Sequence, residues 1–242
     1  MLRIFIAEAT KLRRSLVLLL CAAAPAMVAL LCALMFNQKA GPDQPWTLYL
    51  LSASAIWSFF MLPMTVTALT ILVAQLEHGP KLWNHLLALP VPRPAYFAAK
   101  IVMVILLVAG MTGLLFVLTP LLARLADWAT PARALTGGAD LGQFAQILAK
   151  MFAGALLLIA LQLWTALRFR SFVPPLVLGI AGTFVAVVAT GSDYGPYFPW
   201  LIATNALASD PARAELALRV GAVGGLIAIA AMVADLSRRE VV

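Results

Sequence analysis

"AYFAAKIVMVILLVAGMTGLLFVLTPLL", Ala95–Leu122, decides the fold. Lys100 is its one charge, and its apolar residues run on without the alternation of a half-buried strand. Crossing a hydrocarbon layer of ~30 Å takes about 20 such residues in a helix. Working outward, the same reading applies to Ser15–Phe36, Thr47–Leu76, Ala149–Leu167, Phe172–Thr190 and Leu216–Leu236. The 242 residues are 63% hydrophobic and 11% charged, whereas a soluble domain carries about 25% charged residues. No water-soluble fold of this size has interior enough to hide so much apolar surface. A transmembrane barrel would show short alternating segments instead of continuous runs. In lipid each backbone N–H must find its partner within its own segment. The expectation is therefore an all-α integral membrane protein, a six-span bundle forming a single transmembrane domain over residues 1–242.

The net charge of +7 is unevenly placed. With the N-terminus inside, Arg3, Lys11, Arg13, Arg14, Lys81, Arg93, Lys100, Arg168, Arg170, Arg238 and Arg239 face the cytoplasm. Lys39, Arg124, Arg133, Arg213 and Arg219 face out, with most of the acidic residues. That bias predicts cytoplasmic termini and no role with nucleic acid. Residues 2–14 carry Leu2, Phe5, Ile6, Ala9 and Leu12 at helical spacing, with Arg3, Lys11 and Arg14 elsewhere on the wheel. This predicts an interfacial helix. The first apolar run is longer than the 7–15 residue core of a signal peptide, so it is expected to remain. Cys21 and Cys32 lie too far apart along one helix to pair.

Before the last span, Tyr197, Phe198, Pro199 and Trp200 sit in a greasy segment too short to cross. Either an outer re-entrant hairpin or an aromatic anchor for the bundle fits it. Gly221 and Gly225 form a GxxxG step that admits close helix packing, within the chain or with a second copy.

Catalytic signatures are absent. The sequence has no GxxxxGK[ST] loop, no HExxH, no Cys–His cluster and no GxSxG turn. His78 and His85 are seven residues apart, too far to share one metal, and read as a solvated helix face. The chain is expected to hold no catalytic residue, metal or cofactor and to be no enzyme by itself.

One polar island breaks the pattern. In Leu76–Lys100, residues Glu77–Leu89 read as a short amphipathic helix. Leu82, Trp83, Leu86 and Leu87 form one stripe, and Lys81, Asn84 and His85 another. Pro90, Pro92, Arg93 and Pro94 then form a stiff connector. Such a helix can lie on the membrane or dock in a groove of a cytoplasmic protein.

Taken in order, the interfacial start, the six spans, Glu77, Trp83, the LPVPR run, Lys100 and the late apolar hairpin resemble the permease subunits of ABC type-2 exporters. The likeness is to the small permeases of bacitracin resistance and lantibiotic self-protection. The resemblance implies a permease moving an amphipathic substrate, a peptide antibiotic or lipid-like molecule, out of a bacterial inner membrane. It implies two copies of an ATP-binding subunit carrying ATP and Mg, and a second permease chain, identical or homologous. By the same resemblance, Glu77, Lys81, Leu82, Trp83, His85, Leu86 and Leu87 form the coupling helix, residues 2–14 the connecting helix and Tyr194–Leu207 the outer re-entrant helices. Two other readings stay open: a membrane scaffold or sensor recruiting an enzyme through residues 77–89, or half of a secondary carrier. The lack of charge at mid-membrane weighs against the carrier.

Overall fold

Why the apolar runs become these particular helices is visible in a computed structural model of the chain, which describes residues 2–13, 15–38, 44–78, 92–129 and 135–238. Helix α1 (Leu2–Leu12) precedes α2 (Leu16–Gln38). The second long rod is built in three pieces: α3 (Trp46–Ile56), a π-helical turn (Trp57–Met61) and α4 (Leu62–His78). Pro63 explains the joint. A proline has no N–H to give the carbonyl four residues back, and its ring crowds that carbonyl, so the preceding turn widens. Helix α5 (Arg93–Ala129) follows. Next come α6 (Leu141–Gly154) and α7 (Leu156–Arg168), in line and separated only at Ala155. Helix α8 (Val173–Ala189), a 3-10 turn (Gly195–Tyr197), a short α9 (Pro199–Asn205) and α10 (Pro211–Arg238) complete the described chain. Two-residue strands β1 (Gln44–Pro45) and β2 (Leu135–Thr136) pair in parallel, pinning two connections together.

Five rods are long and apolar enough to cross a membrane: Leu16–Phe36, Trp46–His78, Arg93–Trp128, Leu141–Arg168 and Pro211–Arg238. The expected fifth span, α8, is apolar but only 17 residues long. Pro174 and Pro175 fix its start in the first turn, and the Gly191–Gly195 region ends it. The fourth rod begins at Leu141, not near residue 149, because Asp140 caps it by accepting from the Gln143 N–H at 2.9 Å.

Helix α5 packs on α2 and α1; α10 packs on α6, α7 and α9; α4 packs between α7 and α8. Leu19, Leu106, Phe184, Val188, Leu226 and Ile227 lie exposed on the outside. An apolar outer surface of this extent suits a hydrocarbon solvent. Most buried span hydroxyls are satisfied within their own helix, although the Thr119 hydroxyl is buried without a partner. Ser54, Thr65, Thr67, Thr70 and Thr183 each donate to a carbonyl four residues back. The bundle thus has two ends. At the loop end, α1, the end of α4 and the start of α5 meet. At the hairpin end, α9 lies beside the start of α10.

Candidate functional site: a buried ionic junction at the foot of the 79–91 loop

Three elements converge on four opposite charges. Helix α1 supplies Glu8 and Lys11, one turn apart and so on one face. Helix α4 supplies Glu77 from its last turn. Helix α5 supplies Tyr96 and Lys100, also one turn apart. Lys100 Nζ lies 2.7 Å from Glu77 Oε1 and 2.8 Å from Glu8 Oε2. Lys11 Nζ lies 2.5 Å from Glu8 Oε1 and 3.2 Å from Glu77 Oε1. The Tyr96 hydroxyl donates to Glu77 Oε1. Its ring also faces both ammonium groups, at 5.8 Å from Lys11 and 5.3 Å from Lys100.

This junction is inside the protein. Glu77 is 0% exposed, Lys100 1% and Glu8 6%. Two carboxylates and two ammoniums sum to zero, which is what allows charges at this depth. An isolated buried charge costs several kcal/mol, and only close opposite partners offset it. Burial pushes the Glu8 carboxyl up, but Lys100 and Lys11 outweigh that and hold it below the ordinary carboxylate value. Burial pulls the Lys11 ammonium down, yet Glu8 and Glu77 hold it above the ordinary lysine value. All three donors crowd Glu77 Oε1, while its Oε2 is buried without a hydrogen-bond partner.

The position matters more than the chemistry. Glu77 stands at the end of α4, just before residues 79–91, and α5 starts just after them. The junction therefore clamps the two helix ends that flank residues 79–91 to each other and to α1. A second set of contacts ties the same foot sideways. His78 Nε2 lies 3.2 Å from the Ala166 carbonyl, and Gln75 Nε2 donates to the Arg170 carbonyl at 3.3 Å. Asp235 of α10 accepts from Trp164 Nε1 at 2.9 Å and from Arg168 at 3.2 Å. The ends of α4, α7 and α10 are thus linked at this face.

The sequence reading placed Glu77 at the head of a partner-facing helix. Instead it belongs to the long rod that ends at His78, and it is fully buried. The carboxylate is drawn inward by Lys11, Lys100 and Tyr96. His78 is half-buried against Ala166 and not on a solvated face. Lys81, Leu82, Trp83, His85, Leu86, Leu87 and Pro90 lie outside the described residues. The Pro92 carbonyl accepts from the Ala95 N–H at 3.0 Å. Arg93 and Pro94 form the first turn of α5 in place of an extended connector, since proline is tolerated where no intrahelical N–H bond is due. Glu8, Lys11, Tyr96 and Lys100 were not singled out as a group. Their signal was present: Glu8 is the one acid of the first helix, and Lys100 the one charge of the decisive apolar run.

At the other end, the aromatic segment of the 3-10 turn and α9 packs on the bundle. Trp200 is buried, and a Cβ on Gly182 would lie 2.2 Å from its ring. Phe198 stacks on Trp200, while Tyr194 and Tyr197 remain exposed. Pro199 opens α9. Gly221 and Gly225 of α10 meet Gly154 and Leu156 of the same chain, so this close approach is internal.

Comparison with known proteins joins these observations. The family described as "ABC-2 family transporter protein" matches residues 4–186. The chain belongs to this family. The match takes in α1, the loop and its clamp. A curated relative from Bacillus licheniformis, "Bacitracin transport permease protein BCRB", is 26% identical over 126 residues. That alignment covers 51% of this chain and 57% of the relative, so the chain matches little more than half the relative's length. No solved structure matches. The resemblance read from the sequence is therefore borne out. The chain is a multi-pass membrane component of a transporter family whose permeases work with ATP-binding subunits, and the family domain is not itself catalytic.

Proposed function

We propose that this chain is the membrane-spanning subunit of an ATP-driven exporter, and that residues 77–89 receive the motion of a separate ATP-binding subunit. The observation that carries this reading is the buried junction of Glu8, Lys11, Glu77 and Lys100 at the loop's two feet. A segment that delivers force needs a stiff base, and a charge-neutral ionic cluster across three helices, with Glu8, Glu77 and Lys100 buried and Lys11 at its partly exposed edge, supplies one. Lys81, Leu82, Trp83, His85, Leu86 and Leu87 would make the contact, with Trp83 as its anchor. Glu77 would hold the lever's foot instead of touching the partner.

On this reading both termini and the loop face the cytoplasm of a bacterial inner membrane. Residues 1–242 act as one permease domain with α8 as a sixth crossing element. The segment around α9 is a re-entrant hairpin on the outer side. The permease pairs with a second copy or a homologous chain. ATP and Mg sit on two copies of the partner subunit, whose closed state ATP binds better; that difference in affinity drives the cycle. The substrate is an amphipathic molecule of the class named for the relative, a peptide antibiotic such as bacitracin, or a lipid-like one.

The test is to express the chain with an ATP-binding subunit of the family and delete residues 81–87. Co-purification and bacitracin-stimulated ATP turnover should both be lost. Undiminished capture and turnover would refute the docking role.

A further inference from the structure

The hairpin end holds a feature that export coupling does not use. A cavity of about 240 Å³ opens between the end of α8, α9 and the start of α10. Thr190, Thr204, Asn205 and Arg213 supply its polar lining, and Leu201 and Leu207 the apolar part. Arg213 is held in place by neutral acceptors alone. Its Nε donates to Asn205 Oδ1 at 2.7 Å, and one Nη donates to the Ser192 carbonyl at 2.9 Å. Among the described residues no carboxylate lies within ion-pair distance of it. A guanidinium has five N–H donors, so most of its donors remain for something else. Thr204 lines the same cavity, and its hydroxyl, beneath the surface, has no hydrogen-bond partner. Asn205 is itself 8% exposed, so the guanidinium is oriented by a rigid, buried group.

We infer that this cavity binds the phosphate of a lipid headgroup, with Arg213 and Thr204 as the donors. Arginine and phosphate match in charge and geometry, and a hydroxyl beside them completes the donor set. The missing counter-charge and the unpaired hydroxyl are both answered by one anion. Lipid is favoured as its source because α8 reaches the cavity with Phe184, Val187 and Val188 exposed, an apolar surface for an acyl chain just before Thr190. Gly195 leaves room for this arrangement: a Cβ on it would lie 2.7 Å from the Arg213 guanidinium and would displace it. The inference holds whichever leaflet this end faces, and so stands apart from the export reading.

The test uses the full chain in nanodiscs of mixed phosphatidylglycerol and phosphate-free diglucosyldiacylglycerol, released into detergent, with retained lipid counted by native mass spectrometry. The wild-type chain should retain phosphatidylglycerol over the phosphate-free lipid by about tenfold, the scale of one or two charge-assisted hydrogen bonds. Thr204→Val keeps the side chain's shape and should cut that preference several-fold with an unchanged melting temperature. Arg213→Gln should abolish it. Thr204→Val alone decides the matter if Arg213→Gln does not fold. Millimolar inorganic phosphate should weaken lipid retention only slightly. Equal preference in wild type and Thr204→Val, or complete displacement of lipid by free phosphate, would overturn the proposal.

Discussion

The two ends of the bundle are held together by opposite means. At the loop end, charged groups from α1, α4 and α5 meet in a neutral cluster. At the hairpin end, glycines let backbones and rings approach: Gly182 under Trp200, and Gly221 against Gly154. Packing contacts act only at touching distance, whereas the ionic contacts bind three helix ends into one unit. On the proposed reading, the ionic end passes movement between three helices and the close-packed end stays shut.

The comparison can be broken most forcefully at Lys100. Lys100→Met leaves Glu8 and Glu77 buried with only Lys11 between them. It should cost about 3–5 kcal/mol, read as a fall in melting temperature of the purified chain. At the hairpin end, Gly221→Ala places a methyl 2.3 Å from the Gly154 carbonyl oxygen, which is backbone and cannot swing aside. A loss of about 1–3 kcal/mol is expected, checked by the same melt. Unlike the loop-end change, this loss should be independent of pH.

Acid sharpens the contrast. The Glu8 carboxyl is held below its ordinary value, so its contribution is present above that value and is lost as pH falls through the depressed one. The Lys11 ammonium is held above its ordinary value, so its contribution is present below that value and is lost as pH rises past the raised one. Stability of the loop end should therefore be flat across neutral pH and decline below about pH 4. Amide exchange in α1 and the end of α4 should report the decline before the hairpin does. The smallest effect belongs to the half-exposed Arg168–Asp235 pair. Arg168→Ala should change stability by no more than about 1 kcal/mol, and a larger change in the melt would mark that face as part of the clamp.

Much of this was legible in the sequence. Long apolar runs dictate helices because lipid offers the backbone no other partner, and Ala95–Leu122 became α5 with its flanks extended. Less legible was what charges do near span ends. Glu77 and Lys100 looked like interface residues because sequence shows position along a helix and not the neighbour across it. Glu77 pairs across to Lys100 and Tyr96 of α5, and the docking of α1 closes over them. Trp200 looked like a headgroup anchor for the same reason, and the missing side chain of Gly182, on another helix, is what buries it. The π-turn left only Pro63 as its trace, and α8 fell short in length because two prolines and a glycine-rich turn bound it.

The account rests on the junction acting as a mechanical link, and Glu77→Gln tests it most directly. The amide keeps the shape and a hydrogen bond but removes the charge that holds Lys11 and Lys100. In the proposed complex with an ATP-binding subunit, with bacitracin as the trial substrate and the readout its movement per ATP hydrolysed, the variant should assemble and turn over ATP while the ratio falls about tenfold or more. An unchanged ratio in a folded, assembled complex would contradict it.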